Sequence, residues 1–154
     1  MRTANVITIH GPLHVIYTTA SDLARWPDFL PHYRYNTFLS KLAWGGIVKM
    51  SAVRTFIPTT WISEYRIDTD KLQLHFRHLK SAFNATRGMV VVWTFTPVGD
   101  SVQVEITHDL ELPWPIIGGF VSRYIVGRFF IHHIASLTLA GLKRKVESMQ
   151  QQTA

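Results

Sequence analysis

From Tyr33 to Leu112 apolar side chains recur at every second position, in the runs "YRYNTFLSKL", "IVKMSAVRTF", "TTWISEYRI", "KLQLHFRHL", "MVVVWTFTP" and "SVQVEITHDLEL". That period is the signature of strands with one buried face. Turn signals separate the runs at Gly45-Gly46, Ile57-Pro58, Asp68 to Asp70 and Val98-Gly99-Asp100, and only "KSAFNATRG" is a longer loop. A parallel pair needs a crossover of a dozen or more residues, so most neighbouring strands must pair antiparallel, as a meander.

The flanks change period. Val6 to His10 reads as a short first strand, and Gly11-Pro12 turns the chain into a helix whose Leu13, Ile16, Tyr17 and Ala20 share one stripe. Ser21-Asp22 is placed to cap a second short helix, "LARWPDFLP", kept short by Pro27 and Pro31. After Pro113-Trp114-Pro115 a long helix is expected to about Met149, kinked or delayed at Gly118-Gly119, with Phe120, Tyr124, Gly127, Ile131, Ile134, Thr138 and Leu142 on its buried stripe and 149–154 frayed. A single antiparallel sheet must bury its apolar face, and that helix is the only element large enough to cover it. The expectation is one α+β domain over 1–154: a curved antiparallel sheet of about seven strands around a long C-terminal helix, with two short helices after strand one.

Composition narrows the function classes. At 154 residues, 47% hydrophobic and 17% charged, the chain reads as an ordinary globular domain. The absence of cysteine removes disulfides, thiolate nucleophiles and Cys-ligated metals, and fits a cytoplasmic setting. The start "MRTANVITIHG" has no continuous apolar stretch of the signal-peptide kind, and Arg123, Arg128, His132 and His133 interrupt the most apolar segment, which argues against a membrane span. No HExxH, GxSxG, GxGxxG or P-loop occurs, and the eight histidines do not fall at metal-ligand spacing, so neither metal nor cofactor is expected. The formal charge of +6 is scattered, which disfavours nucleic acid and leaves transient contact with an anionic membrane surface as a use for it. Nothing in the composition sets the oligomeric state.

Three polar residues interrupt apolar faces. His78 follows Leu72, Leu74 and Phe76; His108 follows Val102, Val104 and Ile106; Arg54 follows Val48, Met50 and Ala52. An inward Arg54 needs a carboxylate, water or a ligand oxygen, and Glu64 on the next strand is the candidate carboxylate. Two imidazoles in an apolar recess would be held neutral at pH 7 and could each give or take a hydrogen bond.

The segments "ARWPDFLPHYR", "HFRH" followed by "TRGMVVVWTFTP", and "VEITHDLELPWP" leading into "VGRFFIHHIASLTLAGLKRKVE" together resemble the polyketide cyclase/dehydrase-like branch of the START-like (SRPBCC) superfamily, from about Val6 to Glu147. The resemblance implies a helix-grip (START/Bet v 1-like) fold with a cavity between sheet and C-terminal helix for lipids, isoprenoids, quinones or polyaromatic molecules. It assigns no catalytic residue to a particular position. The resulting expectation is a hydrophobic-ligand holder, carrier or sensor, in which Trp61, Trp93, Phe76, Met50 and Tyr124 wall the cavity and Arg54, His78 and His108 orient ligand oxygens. The alternative is a polyketide aromatase/cyclase working in the same cavity by aldol closure and dehydration.

Overall fold

The computed structural model describes residues 2–54, 56–81, 86–110 and 119–153, with the backbone alone for Arg54, for 119–130 and for Thr153. Its elements are β1 (Arg2–His10), α1 (Leu13–Ser21), α2 (Trp26–Phe29), β2 (Tyr33–Leu42), β3 (Gly45–Arg54), β4 (Ile57–Asp68), β5 (Gln73–Ser81), β6 (Val90–Val98), β7 (Ser101–Asp109) and α3 (Gly119–Thr153). All seven strands join one sheet in the order β1-β7-β6-β5-β4-β3-β2, every pair antiparallel. The meander expected from the short connections is present, and β1 closes the sheet by pairing with β7 from Arg2 opposite Asp109 to His10 opposite Ser101.

Alternation decides which face is covered. Val48, Met50 and Ala52 on β3, Leu74 and Phe76 on β5, Val91, Trp93 and Phe95 on β6, and Val102, Val104 and Ile106 on β7 are all buried on the inner face. The helices lie against that face. On α3, Ile131, Ile134, Ala135, Thr138, Leu139, Leu142 and Val146 form the buried stripe at helical spacing. Thr138 is tolerated in it because its hydroxyl donates to the Ile134 carbonyl at 2.7 Å and also meets His32 Nε2 at 2.9 Å. The expected stripe positions Phe120, Tyr124 and Gly127 lie outside the described side chains, as does the Pro113 to Gly118 stretch.

α1 and α2 close the opening between sheet and helix. Ile16, Tyr17 and Ala20 are the buried stripe of α1, which starts from Pro12 with backbone bonds from Val15 and Ile16 to the Pro12 carbonyl. The capping role expected of Asp22 is not realised: no side-chain hydrogen bond caps the turn it precedes. Trp26, 2% exposed, drives into the interior instead, its Nε1 donating to the Ala20 carbonyl at 2.9 Å. Its ring meets Tyr33 at 5.1 Å, Trp93 at 5.5 Å and Phe76 at 6.1 Å.

Close approach explains two glycines. A Cβ on Gly45 would run into the Tyr65 carbonyl of the neighbouring strand, and one on Gly141 would run into the Leu30 side chain, where α3 crosses the end of α2. Gly141 costs α3 about 1 kcal/mol of helix propensity relative to alanine, so its presence reflects that crossing. Gly141→Val is expected to lower stability by about 2 kcal/mol through overpacking against the buried Leu30, read as a fall in the urea midpoint without a change in slope.

Candidate ligand site

An antiparallel meander sets strand ends in alternation. The C-terminal ends of β3, β5 and β7 and the N-terminal ends of β1 and β4 therefore fall at the same edge of the sheet. On the inner face the polar residues collect toward that end: Thr3 and Asn5 on β1, Ser63 on β4, His78 on β5 and His108 on β7. The backbone of Arg54 ends β3 there as well, opposite Ile57. Its side chain lies outside the described residues. Glu64 is not its neighbour, because the β3–β4 register sets Glu64 opposite Ile47.

His78 is the centre of one half of this wall. It stands opposite Ser63, its ring lies parallel to Trp61 at 5.8 Å and 19°, and its Nδ1 meets Thr86 Oγ1 at 2.9 Å. The ring has protein on nearly all sides, while the residue as a whole is only partly buried. Burial, with the His108 imidazole second, pushes its pKa down to about 3. If the Thr86 hydroxyl donates to Nδ1, the proton sits on Nε2 and is free for a ligand acceptor.

His108 lies two strands away, 8% exposed, its Nδ1 without a hydrogen-bond partner among the described residues. Burial, then the nearby His132, pushes its pKa down to about 4. Between them stand Val91, opposite His108 on β6, and Met89, whose carbonyl accepts from the His78 backbone N–H at 2.9 Å. Both rings are therefore neutral at pH 7, as the alternation led us to expect, and neither supplies a cation for a carboxylate.

The remaining wall is aromatic. Trp61 is half-buried and meets Tyr33 at 6.1 Å; Tyr33 is hydrogen-bonded to Thr138, and burial pushes its phenol up. His32 packs on the Tyr33 ring at 4.9 Å, and burial, then His133 and Arg144, pushes it down to about 4. Trp93, Phe76 and Met50 share the inner face and are buried: Phe76 and Trp93 pack on the Trp26 ring, and Met50 stands opposite Trp61 across the β3–β4 pair. Tyr124 lies outside the described side chains. Sequence reasoning missed Tyr33, Thr3, Asn5 and Ser63. Three of the four keep a buried unpartnered oxygen: Thr3 Oγ1, Asn5 Oδ1 and Ser63 Oγ.

At the other end of the sheet the β1–α1 turn, the β6–β7 turn and the last turns of α3 border an open cleft of about 800 Å³ that includes His10, Pro97, Asp100 and Glu147. It is far from the buried imidazoles. Among the described residues no group of three or more His, Asp or Glu side chains is placed to hold a metal ion.

The element order, the seven-stranded antiparallel sheet and the long C-terminal helix define a helix-grip fold, as in START-like proteins. Comparison with known proteins agrees. The aromatase/cyclase ZhuI of a Streptomyces species superposes with a TM-score of 0.84 over 96% of this chain and 93% of its own, at 14% identity. A START superfamily protein of Mycobacterium smegmatis gives 0.67 over 96% and 98%, again at 14% identity. In sequence, the chain is 26% identical over 116 residues to a Streptomyces cyaneus protein named "Putative polyketide cyclase", covering 71% of this chain and 72% of that one. No protein-family profile matches it.

Proposed function

We propose that the polar end of the inner face holds a hydrophobic or amphipathic small molecule bearing oxygen substituents, of the polyaromatic, isoprenoid or lipid kind, which the protein carries or senses. The observation that carries this reading is His78: an imidazole enclosed by protein in a partly buried residue, laid flat against the half-buried Trp61 at the polar end of a largely apolar face. An apolar recess with a few placed polar groups is the usual form of a small-molecule site. A flat aromatic ligand would stack on the exposed part of Trp61, and a neutral imidazole N–H would meet its oxygen. The net positive charge would favour loading from an anionic membrane surface.

Titration with a dihydroxyanthraquinone, followed by tryptophan fluorescence, tests this. Saturable quenching at one equivalent is expected, and Trp61→Ala should weaken binding about tenfold, the loss of one good stacking contact. Linear, unsaturable quenching, or a Trp61→Ala variant that binds as well as the parent, would remove this reading.

A second reading, aromatase/cyclase chemistry on a poly-β-keto chain, is favoured by the similarity to the Streptomyces cyaneus protein. Imidazoles with pKa values of about 3 and 4 are poor proton acceptors at pH 7. They suit instead the donation of a hydrogen bond to a ketone oxygen as it gains charge during aldol closure. In that closure an enol carbon attacks a ketone carbon, a C–C bond forms, and loss of water then gives the aromatic ring. Added to a ketosynthase and acyl-carrier system, the protein should then shift the product mixture toward one ring pattern, and a His78→Leu variant should not.

A further inference from the structure

The oxygen function that a bound molecule must present is set by β1 and β7, an inference that rests on the ligand-holding role proposed for the inner face. Thr3 Oγ1, Asn5 Oδ1 and His108 Nδ1 are buried and have no hydrogen-bond partner among the described residues. Thr3 stands directly opposite His108 across the β1–β7 pair, and Asn5 follows two residues on, facing the same side. Asn5 is 7% exposed, and α3 fixes its orientation. Its Nδ2 lies 3.1 Å from His132 Nδ1 and donates to Ser136 Oγ at 3.0 Å and, more weakly, to the His132 carbonyl at 3.4 Å. That carbonyl can only accept, so the amide nitrogen must face the helix, and the amide oxygen is left as a bare acceptor on the other side.

An unpaired buried acceptor on the same stretch of the inner face as two groups able to donate is a specific request. A hydroxyl answers it in full, giving its proton to Asn5 Oδ1 and accepting from Thr3 Oγ1 or the His108 ring. A ketone has no proton for Asn5, and a carboxylate would face the amide oxygen with no cation beside it, His108 being neutral. We infer that Thr3, Asn5 and His108 form a polar subsite that takes a hydroxyl group of the ligand, phenolic, enolic or alcoholic, in preference to a ketone or a carboxylate.

Equilibrium dialysis with naphthol, naphthalene and naphthoate separates the possibilities without identifying the natural ligand. The parent protein should bind naphthol about tenfold more tightly than naphthalene and bind naphthoate least, the advantage expected of one well-made buried hydrogen-bond set. Thr3→Val keeps the side-chain shape and removes the hydroxyl. It should cut the naphthol advantage over naphthalene to about threefold or less, and His108→Phe, which removes the ring nitrogens, should cut the same ratio. Equal affinity for naphthol and naphthalene in the parent, a preference for naphthoate, or a naphthol advantage untouched by both substitutions overturns the subsite while the ligand-holding reading stands. Binding of none of the three probes overturns both.

Discussion

Lowering the pH from 7 to 4.5 is expected to cost the fold about 5 kcal/mol, from His78 and His108 together. Each imidazole has a folded-state pKa of about 3 or 4 against an ordinary 6.5, so below 6.5 the unfolded chain takes up protons that the folded chain refuses. Stability then falls as pH drops, beginning near the unfolded value and levelling off only when each folded-state value is passed. Two pH units of differential protonation come to about 2.7 kcal/mol per group. His32 acts in the same direction with a smaller weight, since it is less enclosed. The carboxyl of Asp68, held low mainly by the Lys71 backbone N–H, titrates in a lower window. Urea unfolding at pH 7 and 4.5 measures the difference, and a His78→Phe, His108→Phe double variant should lose most of it. A parent protein equally stable at both values would mean that the two rings are solvated and not enclosed.

Trp26→Ala should cost about 4 kcal/mol, in the range for deleting a fully buried indole. The ring fills the space between α2 and the sheet, touches Tyr33, Phe76 and Trp93, and satisfies the Ala20 carbonyl at the end of α1. Its removal leaves a cavity beneath three other aromatic rings and an unpaired carbonyl, so little of the loss can be recovered by collapse. The readout is the urea midpoint at pH 7 together with near-ultraviolet circular dichroism. A change below about 1 kcal/mol would show that α2 does not anchor the sheet.

The strands were legible because most of them bury one face, β2 with only Tyr33 buried being the exception, and period two survives any error at the ends. The ends moved for physical reasons. Leu72 continues the alternation of β5 but takes a φ of 51° in the turn, so the strand begins at Gln73. Pairing with β7 draws Arg2 to Asn5 into β1, although Asn is a poor strand former and the sequence pattern starts only at Val6. For that reason Thr3 and Asn5 escaped notice, even though they repeat the signal that exposed His78 and His108: a polar residue ending an otherwise apolar stripe. α3 likewise runs on through Thr153, beyond the point where the sequence turns polar. The pairing of Arg54 with Glu64 could not be read correctly from adjacency in sequence, because register decides which residues of two strands meet. Tyr33 could not be seen as part of the site, since its place depends on Thr138 and Trp61 arriving from distant parts of the chain.

The proposed function turns on whether an accessible recess lined by His78, Trp61 and His108 takes a small oxygen-bearing molecule. Native mass spectrometry of the freshly purified protein, repeated after addition of one equivalent of a dihydroxyanthraquinone, tests it most directly. A one-to-one adduct is predicted, either already present and released by organic solvent or formed on addition and lost in a Trp61→Ala, His78→Leu variant. A spectrum of the bare chain both before and after addition would contradict it.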